Sequence, residues 1–107
     1  MMLLTKANRR ALPSIGATSE QADPVVQVKF FCPWGMATWL ATEFDGEDLF
    51  FGWAVLNDPA CAELGYFSLA ELQSIRGRFG LGIERDLHFT PCPLSEAKRR
   101  LGYESAA

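Results

Sequence analysis

The densest apolar pattern runs through residues 25–56, and its alternation reads as three strands. In the first, over residues 25–32, Val26, Val28, Phe30 and Cys32 share one face, with Gln27, Lys29 and Phe31 on the other. Pro33-Trp34-Gly35 supplies a turn, and residues 36–44 return, with Trp39, Ala41 and Glu43 opposing Leu40, Thr42 and Phe44. Asp45-Gly46 is a hairpin signal, because glycine adopts the positive φ a tight turn needs. Residues 49–56 carry apolar groups on both faces, which predicts a central strand covered on both sides. Connections this short require antiparallel pairing.

The flanks add helices. Residues 3–12 read as a short helix capped by Thr5 and stopped by Pro13, with Leu3, Leu4, Ala7, Ala11 and Leu12 opposite Lys6, Arg9 and Arg10. The small polar residues of 14–24 predict a flexible loop. Asn57-Asp58-Pro59 breaks the third strand, and 64–67 is a short strand feeding a helix over 69–76. Ser68 followed by Glu71 is a capping-box signature for that helix, and Leu69, Leu72 and Ile75 form its buried stripe. Gly77, Gly80 and Gly82 end it. Residues 85–90 predict a further strand, Pro91-Cys92-Pro93 a break, and a basic helix runs from Leu94 or Ser95 to near Gly102. The expected fold is α+β, in the order α-β-β-β-β-α-β-α: a curved antiparallel sheet of about five strands with short packed helices. Residues 1–107 are expected to form a single domain, with 104–107 a disordered tail.

Composition narrows the functional classes. A hydrophobic share of 49% over 107 residues fills one modest core and excludes a wholly disordered chain. Thirteen acidic against ten basic residues give a net charge of −3, which argues against broad non-specific binding to nucleic acid. Three cysteines without a secretion signal fit a reducing compartment, and no apolar run is long enough for a membrane helix; a cytoplasmic location is expected.

Several ordered motifs, LLTKANRRALP, DPVVQVKFF, TEFDGEDLFFG, ELGYFSLAEL and IERDLHFTPCPLSE, together resemble the small bacterial family DUF2958. The resemblance spans nearly the whole chain. It implies a protein encoded on plasmids or other mobile elements, and it transfers no catalytic residues. Cys32 and Cys61 depart from that family's pattern.

The candidate chemistry is sparse. Glu43, Asp45, Glu47 and Asp48 gather oxygen ligands that suit a hard cation, although their spacing is not that of the twelve-residue calcium loop. The pair Glu84 and Asp86 would add to a hydrolase-type metal centre, against the simpler reading of surface ion pairs with Arg85. His88 with Cys32, Cys61 and Cys92 makes a zinc set in arithmetic only, lacking paired CxxC spacing. The glycines of IRGRFGLGIERD lack the lysine and hydroxyl of a P-loop and read as a connection. Aromatic residues exceed what short helices cover, which makes Trp34 and Tyr66, with Arg76 and Arg78, the candidate partner-binding set. The expected function is therefore a non-enzymatic accessory or protein-binding module of a mobile element, needing no cofactor; a homodimer is compatible with it. Two alternatives stand beside it. One is nucleic-acid binding through Lys6, Arg9, Arg10, Lys98, Arg99 and Arg100, and the other a metal-dependent hydrolase built on the acidic hairpin.

Overall fold

The alternating pattern of residues 25–56 becomes the middle of an antiparallel sheet in a computed structural model, which describes residues 2–103. The expected tail at 104–107 lies outside the described residues. In chain order the elements are α1 (Lys6–Ala11), β1 (Val25–Val26), β2 (Val28–Phe31), β3 (Thr38–Phe44), β4 (Leu49–Val55), β5 (Glu63–Ser68), α2 (Leu69–Ser74), β6 (Glu84–Arg85), β7 (Cys92–Pro93) and α3 (Leu94–Arg100). The main sheet is open and has the order β5-β4-β3-β2-β6, while β1 and β7 form a separate two-stranded pair. This is the expected α+β architecture, with β2 to β5 a meander and β6 returning to the far edge beside β2.

Four details differ from the sequence pattern, each for a local reason. The first strand is interrupted at Gln27, where β1 leaves the sheet to pair with β7. The interruption puts Val26 in the same apolar cluster as Leu40 and Trp53, apart from Val28 and Phe30. The middle of the sheet is β3, buried along its whole length, with β4 one place off centre. A bulge between Ala41 and Glu43 breaks strict alternation in β3. It returns Phe44 to the face of Trp39 and Ala41, and sets Glu43 opposite Phe51 on the other face. Finally, the strand expected over 85–90 is only Glu84–Arg85. Asp86 then turns the chain, its carboxylate accepting the His88 N–H at 2.9 Å.

Each face of the sheet has its own core. On the first, Phe50 is fully buried between Phe44, Phe30 and Phe67, at ring separations of 4.5, 5.4 and 5.2 Å. Leu3, Leu4, Leu12, Leu69, Leu72 and Ile83 cover this side. On the second, Leu40, Trp53 and Val55 meet Cys92, Leu94 and Ala97. The expected Thr5 cap is present: its hydroxyl accepts the Asn8 N–H, and the Asn8 side chain accepts the Thr5 N–H. However, α1 buries none of its own six residues. The leucines flanking it do the packing, which leaves its basic side chains outward. Among the described residues, no helix is long and apolar enough to cross a membrane.

Candidate functional site

Three of the four carboxylates that looked most like a metal set, Glu43, Asp45 and Asp48, are committed to holding the backbone. Glu43 is 3% exposed and accepts from the Gly16 N–H at 2.8 Å, the Thr18 N–H at 2.8 Å and the Thr18 hydroxyl. Burial opposes its charged form, but these three donors outweigh that, and the carboxyl is held below the usual carboxylate range. Its chemical role is to pin the loop over residues 14–24. Asp45 faces the hairpin interior and accepts the N–H groups of Glu47, Asp48 and Leu49 at 2.8–3.0 Å, which lowers its pKa. Asp48 turns to α2, accepting the Ser68 hydroxyl at 2.7 Å and the Ala70 N–H at 2.8 Å. Glu47 is exposed. The hairpin therefore does not converge its four acids on one point. Among the described residues, no group of three or more histidine, cysteine or acidic side chains is placed to hold a metal ion.

The other polar candidates are also dispersed. Cys32 lies in the first core and Cys92 in the second, while Cys61 is exposed on a 3-10 turn and His88 on the turn after β6. Burial pushes the Cys92 thiol up, away from the reactive thiolate. Asp86 pairs with Lys29 at 3.3 Å, whereas Glu84 lines a different depression. The glycine-rich segment closes on itself: Gly77, Gly80 and Leu81 donate their N–H groups to Leu81, Gly77 and Arg78 carbonyls. Its amides are therefore not gathered into an anion-binding nest.

What the fold does assemble is a groove of about 860 Å³ on the first face, between α1, α2 and residues 80–84. Leu3, Leu4, Leu69, Leu72 and Ile83 make an aliphatic floor, with Met2 and Leu81 more exposed above it. Three cations line it: Lys6 and Arg9 from α1, and Arg76 from just beyond α2. The i,i+3 spacing of Lys6 and Arg9 sets them on the same side of α1. Arg9 is oriented by the Phe44 ring, 5.4 Å from its guanidinium carbon, and by a 3.2 Å bond to the Gly46 carbonyl. Arg76 donates to the carbonyls of Gln73 and Ile75. Among the described residues none of the three meets a carboxylate within salt-bridge distance. Glu84 is the one acid in the lining.

The candidate partner-binding residues fall into two places. Trp34 is 40% exposed and its indole lies directly on Gly77, where a Cβ would come within 2.4 Å of the ring. It therefore stands beside Arg76 and Arg78, with Phe79 at the tip of the same loop. Tyr66 does not join them. It is 61% exposed on β5, the opposite edge of the sheet, against Phe51 and a second depression of about 350 Å³ beneath residues 16–24. The basic set also divides. Lys6 and Arg9 serve the groove, and Arg10 is exposed on α1. On the second face, Lys98 covers the Trp53 ring, while Arg99 and Arg100 pair with Glu96. Sequence reasoning missed Leu81 and Phe79, and it read Glu84 as half of a pair with Asp86 rather than as part of the groove lining. The signal for Leu81 and Phe79 was the glycine spacing around residues 77–82, which marks a loop that projects its side chains.

Fold and groove together define a small open-sheet α+β domain with a basic, apolar-floored surface and no assembled catalytic set among the described residues. The chain belongs to the family described as Protein of unknown function (DUF2958), which matches residues 3–100. No curated protein and no solved structure matches it.

Proposed function

We propose that the protein is a non-catalytic protein-binding module, an accessory of a bacterial mobile element, and that the groove between α1 and α2 is its working surface. The observation that carries this reading is the convergence of Lys6, Arg9 and Arg76 around an aliphatic floor, with no carboxylate among the described residues paired to any of them. Lysine and arginine lay their stems along apolar surface and keep their charged heads in water, so such a groove offers a partner both apolar burial and cations for its carboxylates. Glu43, Asp45 and Asp48 support the same reading from the other side, since each already accepts backbone or hydroxyl donors. A photo-crosslinking residue at Leu81, introduced into the full chain and used in nuclease-treated host lysate, tests it. One protein should be captured, and Arg76→Glu should abolish the capture; crosslinks that are diffuse, or unchanged by Arg76→Glu, would overturn the reading.

Nucleic-acid binding is the second reading, and one observation favours it. Trp34 is backed by Gly77 and flanked by Arg76 and Arg78, as a base-stacking platform requires. The net charge of −3 and the aliphatic floor weigh against it. Salt-dependent binding of a single-stranded oligonucleotide that is lost in Trp34→Ala would favour this second reading.

A further inference from the structure

We infer that the groove takes an acidic, amphipathic peptide segment, with its apolar side on Leu81 and the leucine floor and its carboxylates on Lys6, Arg9 and Arg76. The inference rests on the groove being the working surface and adds the chemistry of the occupant. Charge is its first support. The whole chain carries −3, yet the groove sets three cations against the single carboxylate of Glu84. A partner of the same general acidity as this protein would be repelled elsewhere and attracted here, which fixes orientation as well as affinity.

Preorganisation is the second support. The guanidinium of Arg9 is held by a ring face and a carbonyl, and that of Arg76 by two carbonyls. Neither has an ion pair with a described residue to give up on binding. Each retains donors beyond those bonds, and a carboxylate accepts such donors in strong charge-assisted geometry. The third support is the floor. Aliphatic side chains suit leucine, isoleucine or phenylalanine from a peptide, following the helix-in-groove mode, in which apolar anchors recur at helical spacing. Aromatic stacking surfaces, which nucleic acid needs, lie outside the groove lining.

The test uses the full chain and three fluorescent probes. The first is an acidic amphipathic peptide of about 12 residues with leucines at helical spacing, the second its lysine-for-glutamate counterpart, and the third a single-stranded DNA of about 12 nucleotides. The acidic peptide should bind at least about tenfold tighter than its basic counterpart, and the difference should shrink as salt is raised. The variant carrying Lys6→Glu, Arg9→Glu and Arg76→Glu should invert that preference. Glu84→Gln, which removes the one opposing charge, should tighten the acidic peptide by about two- to fivefold. Because the triple variant loses the Arg9–Phe44 contact, Glu84→Gln keeps the test valid if the triple variant fails to fold. Equal binding of both peptides, or tighter binding of the DNA, overturns the inference. If that happens while crosslinking at Leu81 still captures one protein, the groove reading stands and only the acidic occupant falls. Loss of both removes the groove itself.

Discussion

At the scale of single residues, the polar groups that look most like chemistry act as fasteners. Glu43 shows this best, because its carboxylate serves three donors from the 14–24 loop while almost fully buried. Glu43→Gln leaves those donors short of acceptors and should cost about 2–3 kcal/mol at neutral pH, measured by urea unfolding. The pH dependence follows from the lowered pKa. Its stabilisation is fully present above the ordinary value of 4.5 and is lost as pH falls from there through the folded-state value. The gap between wild type and Glu43→Gln should therefore close in acid, and curves that stay parallel to about pH 3 would assign the effect elsewhere. Phe79 makes the opposite case. It sits at φ 60°, the only non-glycine with positive φ among the described residues, and is 96% exposed. Nothing in the fold repays this conformation, so Phe79→Gly should raise stability by about 0.5–1 kcal/mol in a thermal melt. Phe79 stands at the tip of the loop that packs against Trp34.

At the scale of elements, the short helices depend on what reaches them from the sheet. The first turn of α2 has its N–H groups met by the Ser68 hydroxyl and by Asp48, whose carbonyl also accepts the Leu69 N–H at 2.8 Å. A helix of six residues is marginal alone, so this cap decides whether it forms. Asp48→Ala should destabilise the protein by about 1–2 kcal/mol, read by denaturant unfolding, with the loss of helical signal centred on α2. The same element shows what local sequence can disclose. Ser68 and Glu71 announced the start of α2, but Asp48 comes from the head of the neighbouring strand, where Leu49 pairs with Ser68, and gives no local sign of joining the cap. Likewise the Asp45-Gly46 turn was legible because its chemistry is contained in adjacent residues. The bulge in β3 was not: no glycine or proline marks Thr42, and the shift exists only relative to β4.

At the scale of the whole molecule, the fold class and the order of elements along the chain could be read because alternation and turn residues are local properties, whereas the central place of β3 in the sheet is set by pairing between strands. The groove could not be read, because Lys6 and Arg9 meet Arg76 only after β6 crosses to the far edge of the sheet and draws residues 80–84 toward α1. Charge counts were similarly blind. A chain acidic overall still lines one groove with three cations and a single acid, and a net count does not disclose where charges gather.

Asp48 ties the β3–β4 hairpin loop to α2, and α2 is a wall of the groove. Loop and helix cannot then fluctuate independently: releasing the cap frees the Ala70 amide at the same moment that it loosens the hairpin. Hydrogen exchange should report these amides opening as one cooperative unit. A ligand clamped against α2 should slow exchange at Glu47 and Leu49, which it never touches, so that the hairpin becomes a remote reporter of occupancy.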